Sequence, residues 1–200
     1  LELSLFLCLP ATIALLIASE EITSSLFGYG SFDYLSVKNS SNALFYFALG
    51  LPAFSFIKIF SSFLFARHNT KIPFYLSVFS VIVNILISIY YFNKIGFIII
   101  PIATTISSWL NASLLLIYLS NKKYYLINLL FVKSLLKIAL STIITSYIFY
   151  KLIKFFSENL TYNSEYKLIT IILLVIVTFI IYILISILTK AFKISDIKLK

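Results

Sequence analysis

The first arrangement that could do chemistry is a histidine set between two basic residues. In "LFARHNTKIP" (64–73), Arg67 and Lys71 flank His68, the one histidine of the chain. A nucleophile, base and carboxylate set would need an acid beside that imidazole. Most of the acids fall in other connecting segments, so no such set is expected. One cysteine, Cys8, and one histidine cannot make a Cys/His zinc site, and a lone cysteine gives no disulfide framework. Glu20 and Glu21 are an adjacent acidic pair, read as a solvated helix end. There is no glycine-rich phosphate loop and no paired-carboxylate metal motif. The sequence therefore predicts no catalytic residue, no metal and no cofactor. What remains is non-covalent chemistry inside apolar runs, at Lys58, Asn84 and Asn111. Such groups are expensive in hydrocarbon and often mark a substrate path. The alternatives are that Lys58 snorkels to the headgroups and that the two amides bond between helices.

The elements that must position these residues follow from composition. Of 200 residues, 61% are hydrophobic and only 12% are charged, too apolar a balance for one soluble core. A net charge of +9 would suggest nucleic acid in a soluble protein. Here the lysines lie between apolar runs, where membrane topology accounts for them, and nucleic acid is not an expected partner. A spanning helix needs about 20 apolar residues. About six segments qualify, roughly 3–18, 42–64, 72–92, 96–119, 134–153 and 168–189. Strict period-2 alternation is absent, so the expected fold is all-α and membrane-embedded. The chain starts at Leu1 and contains no methionine, so it reads as a piece of a longer protein.

Loop charges predict the orientation. Loop 65–71 (Arg67, Lys71), loop 120–133 (Lys122, Lys123, Lys133) and the tail (Lys190, Lys193, Lys198, Lys200) fall on one side. Lys38, Lys94, Lys151, Lys154 and Lys167 fall on the other, with five of the seven acids. The richer side is expected to be cytoplasmic, with the C-terminus. "LFARHNTKIP" then reads as a tight cytoplasmic turn, with Pro73 in the first turn of the next helix, where a missing N–H costs nothing. Outward loop 19–41 reads as a short interfacial helix, a turn at Gly28 and Gly30, and a new helix start near Ser31 or Asp33 as N-cap.

Three stretches together resemble the MurJ/MviN family of flippases for lipid-linked peptidoglycan precursors: "SLFGYGSFD" (25–33), "GLPAFSFIKIFSSFLFARHNTKIP" (50–73) and "WLNASLLLIYL" (109–119). The matching residues are Leu26, Phe27, Gly30, Gly50, Leu51, Lys58, Phe65, Ala66, Asn69, Lys71 and Pro73, in that order. Asn84 and "LNASLL" (110–115) also fall where the family carries similar residues. The family often has aspartate where Asn69 stands and threonine where Ile72 stands. The resemblance is good over about 1–125 and only hydropathic beyond.

The resemblance implies helices nine to fourteen of a fourteen-helix, two-lobe flippase. Residues 1–120 would be the last four helices of the C-terminal lobe. Residues 121–200 would be two additional helices, which could shelter a lipid tail, and a basic cytoplasmic tail. The implied activity is flipping of lipid II across the bacterial cytoplasmic membrane by alternating access. Implied partners are the lipid-linked precursor, membrane lipids and the missing N-terminal helices. Lys58, Asn84 and Asn111 become cavity candidates. Arg67, Asn69, Lys71 and Pro73 become a cytoplasmic gate, and Gly28 and Gly30 an outward turn. A different polyprenyl-linked glycan or a drug is an alternative cargo. A non-transporting membrane scaffold is the rival from another class, and a membrane glycosyltransferase is disfavoured for want of a carboxylate pair.

Overall fold

The computed structural model describes residues 1–125, 128–189 and 191, and the four tail lysines named above lie outside them. Among the described residues every regular element is helical: α1 (Glu2–Ile17), α2 (Ser19–Phe27), α3 (Tyr34–Ala48), α4 (Leu51–Ala66), α5 (Lys71–Ile95), α6 (Ile99–Asn121), α7 (Leu129–Phe155) and α8 (Lys167–Leu188). Short 3-10 turns cover Gly96–Ile98 and Ser157–Leu160. The runs Lys71–Asn121, Phe131–Phe155 and Lys167–Leu188 are long and apolar enough to cross a membrane, and two bent pairs, α1 with α2 and α3 with α4, qualify when each is joined.

The chain divides into two units, Leu1 with Tyr46–Asn128, and Glu2–Phe45 with the chain from Leu129 onward. In the first, α5 and α6 form a hairpin rather than one long rod. Gly96 turns the chain at φ 74°, and the hydrogen-bonded partners then step in opposite directions: Asn69 with Tyr118, Ser77 with Asn111, Asn84 with Thr104. The run Lys71–Asn121 thus folds back on itself as two helices. α4 packs on α6 through Phe60, Leu64, Leu115 and Leu119. Ser107, Ser108 and Ala112 are buried on α6, small residues of the kind that let helices approach closely where lipid offers no hydrophobic drive.

The second unit is built on α1, α7 and α8, with α2 against the start of α8. Pro10 lies inside α1, where it removes one N–H and leaves the carbonyl of Phe6 without its helical partner. The Tyr182 hydroxyl of α8 donates to that carbonyl at 2.8 Å. Ser141, Thr142 and Thr145 are buried on α7, and each hydroxyl bonds back to the carbonyl four residues earlier. Ser141 also shares a hydrogen bond of 2.7 Å with Thr189, at the end of α8, so these small residues let the helices approach closely.

Two boundaries differ from the sequence expectation. The second span does not begin near 42. α3 starts at Tyr34, the helix breaks at Leu49–Gly50, and Pro52 is in the first turn of α4, where it is tolerated. The polar stretch "YLSVKNSSN" hides this start from a hydropathy reading. The fifth span begins at Leu129 rather than 134, so Lys133 is helical and not in a loop.

Candidate transport face and its turn

α4 turns Pro52, Ala53, Phe60 and Leu64 inward and leaves Lys58 exposed near its middle. Lys58 has no charged partner among the described residues. Ser62, one turn on, is also exposed and Ser61 half-buried, so a polar stripe runs along an otherwise apolar helix. Ser61 leads into an open recess of about 570 Å³ bordered by Thr70, Lys71, Pro73 and Ser77. The recess combines an ammonium, several hydroxyls and the start of a long helix, groups that suit an anionic ligand.

The turn below this face is set by backbone geometry. α4 ends with Arg67 as C-cap, His68 lies at φ 56°, and two bonds close the end: His68 N–H to Phe65 O at 2.9 Å and Asn69 N–H to Leu64 O at 3.0 Å. That is a Schellman cap, with histidine at the left-handed position where glycine is usual. α6 ends the same way. Lys123 lies at φ 56°, its N–H bonds Ser120 O at 2.9 Å, and Tyr124 N–H bonds Leu119 O at 2.9 Å. The Arg67 guanidinium sits 4.2 Å from the Tyr124 ring and 4.8 Å from the Phe63 ring. Asn69 ties the turn further, donating to the Tyr118 hydroxyl at 3.2 Å and accepting the Ile72 N–H at 3.4 Å. Within this unit, then, the turns at 67–70 and 122–124 lie side by side, as the charge count expected. His68 contributes its backbone to the cap.

The two amides lie within the α5–α6 hairpin. Asn84 Nδ2 donates to Thr104 Oγ1 at 3.1 Å and Ser107 Oγ at 3.2 Å, and Ser88 donates to its Oδ1 at 3.4 Å. Asn111 Nδ2 reaches Ser77 Oγ at 3.4 Å, while its buried Oδ1 has no protein partner. The structure thus joins Asn84 and Asn111 to the hairpin interface and places Lys58 on a different, open face.

In the second unit, the corner between α2 and α3 carries Gly28 and Gly30. Gly30 adopts φ 58°, as a glycine turn requires. Gly28 has an ordinary φ. Its need for glycine is space, since a Cβ there would lie 2.6 Å from Ser24 O and 3.1 Å from the Tyr162 ring. Asp33 caps α3, its Oδ1 accepting the Ser36 N–H at 2.8 Å, as the sequence reading allowed. α2 bends 81° from α1. The residue that sequence reasoning missed is Lys167. Counted as a loop charge, it is the first residue of α8 and is 2% exposed. Its Nζ donates to Gly28 O at 2.7 Å and Tyr162 O at 2.6 Å and lies over the rings of Tyr29 and Tyr162. The same unit holds an apolar cavity of about 180 Å³, lined by Leu7, Pro10, Phe149, Val175 and Phe179 among others.

Long apolar helices, a hairpin span and small-residue helix contacts define a multi-pass α-helical membrane protein. The family described as "Lipid II flippase MurJ" matches residues 1–171, and the chain belongs to that family. A probable lipid II flippase MurJ of Rickettsia prowazekii is 35% identical over 176 residues, which is 86% of this chain and 33% of the relative. One of Rhizobium meliloti is 40% identical over 114 residues, 57% of this chain and 21% of the relative. A solved structure described as lipid II flippase MurJ in an inward closed conformation superposes with a TM-score of 0.75 at 25% identity, over 93% of this chain and 37% of that one. The chain therefore spans about a third or less of the length of these relatives.

Proposed function

We propose that this chain forms part of a transporter that flips lipid II across the bacterial cytoplasmic membrane by alternating access. The observation that carries the reading is Lys58, a cation on an open face midway along an apolar helix, continuous with the hydroxyl-lined recess at Lys71. Moving a diphosphate through hydrocarbon is prohibitive without compensating charge. A cationic face that opens to each side in turn lowers that barrier with no covalent step. Residues 1–120 form the end of a C-terminal lobe, and 121–200 add two helices and a cytoplasmic tail. Further helices of the same protein complete the cavity. The turn at Arg67, Asn69, Lys71 and Pro73 belongs to the inner gate. The apolar cavity beside Pro10 and Phe149 suits part of an isoprenoid tail.

The test is Lys58→Ala in the full-length protein, read by rescue of a flippase-depleted strain and by transbilayer movement of labelled lipid II in vesicles. The expected result is failed rescue and severalfold slower movement, with Lys58→Arg retaining both. Full rescue and unchanged movement by Lys58→Ala would remove this face from the path. A strain whose wall synthesis survives loss of the gene while another surface glycan disappears would reassign the cargo.

A further inference from the structure

The α2–α3 corner borders a further cavity within the second unit. Glu20, Glu21 and Ser24 lie within one turn of α2 and project to one side of it. Together with Tyr34, Ser157 and Thr161 they line a cavity of about 280 Å³. Glu20 Oε1 accepts the Tyr34 hydroxyl at 3.0 Å, which draws α3 to the same space. Glu21 is half-buried beside Glu20, and neither carboxylate has a basic partner among the described residues. Two adjacent carboxylates without a cation repel each other.

Ser24 supplies an independent observation. Of three successive hydroxyl residues, Thr23 bonds Ser19 O at 2.7 Å and Ser25 bonds Lys167 O at 3.2 Å. Ser24 lines the cavity, is 4% exposed, and its Oγ has no partner. A buried hydroxyl left unpaired is costly, and here it stands one helical turn from two acids without a basic partner.

Every polar side chain lining this cavity offers oxygen, the donor type that hard cations take. We propose that this cavity binds a hard divalent cation of the Ca²⁺ or Mg²⁺ class through Glu20, Glu21 and Ser24, with water completing the coordination sphere. The volume leaves room for that water, and the ion would clamp α2 to the segment at 157–161.

The test uses the purified protein in nanodiscs of zwitterionic lipid, with Tb³⁺ as probe and excitation through tyrosine, since Tyr34 and Tyr162 border the cavity. The expected result is a saturable Tb³⁺ emission displaced by Ca²⁺ or Mg²⁺ and not by K⁺. The double variant Glu20→Gln/Glu21→Gln should weaken binding about tenfold or more, and Ser24→Ala should weaken it less. Glu21→Gln alone, nearly isosteric, guards against a folding defect: weakened emission with unchanged far-ultraviolet dichroism supports the site. An unsaturable signal, one that K⁺ displaces equally, or a titration unaltered by the double variant would overturn it. So would weakening that appears only together with lost helical signal.

Discussion

The hydroxyl of Tyr182 donates to the carbonyl of Phe6 at 2.8 Å, and that carbonyl is the one Pro10 leaves without a helical N–H. A break in the bonding of one helix is thus repaired by a side chain from another. The ring of Tyr182 also packs on that of Phe6, with centroids 4.9 Å apart. Tyr182→Phe keeps the packing and strands a buried carbonyl, so it should destabilise by about 1–3 kcal/mol. Pro10→Ala should restore the N–H and make the hydroxyl nearly dispensable. Thermal unfolding of both single variants and the double variant in detergent should show strong non-additivity. Additive effects would refute the repair.

His68 should be improvable. It occupies a left-handed backbone position that costs a side-chain-bearing residue about 1 kcal/mol or more, and its imidazole plays no part in the cap. His68→Gly should raise the unfolding midpoint, and His68→Val, branched at Cβ, should lower it. An unchanged midpoint in both would mean the turn relaxes away from this geometry.

Lys167→Met removes the ammonium while keeping much of the side-chain length. The carbonyls of Gly28 and Tyr162 then lose their donor, at a cost of about 3 kcal/mol for bonds to a buried charge. Hydrogen exchange should accelerate first at Tyr29 and Phe32, whose amides close the corner. Equal acceleration throughout the protein would point to global destabilisation instead.

The cap on α3 should respond to acid. The hydroxyl and N–H of Ser36 hold the Asp33 carboxyl below its usual range. A depressed folded value means that the stabilisation is present above the unfolded value, about 3.9. It is lost as pH falls through the lower, folded value. Exchange at the Ser36 amide should rise below about pH 4, whereas Asp33→Asn, which caps without titrating, should be flat across that range.

Much of the helical layout was legible because apolar runs of spanning length have few other uses. Asp33, Gly30 and the basic turn at 67–71 were legible through local chemistry. The start of α3 was legible as a cap at Asp33, while hydropathy placed the second span only from about 42 because the first turns of α3 are polar. Lys167 was illegible for a different reason. Nothing in its own neighbourhood of sequence announces that Gly28 and Tyr29, more than a hundred residues earlier, will enclose it. Lys58 was visible as an anomaly, but only the burial of Phe60 and Leu64 opposite it shows which way the charge faces. The Glu20–Glu21 pair was legible as a helix end, since both lie in the first turn of α2 and Glu20 is exposed, whereas Ser24 and Tyr34 beside it were not.

The corner at Lys167 is fastened without an acid. Its cation is held by two backbone carbonyls and two aromatic faces rather than by a carboxylate. An ordinary ion pair at that place would loosen in acid, when the carboxylate protonates, and in brine, when mobile ions screen it. This fastening does neither. The bend between α2 and α3 is therefore held by contacts that lack the carboxylate through which acid would loosen them.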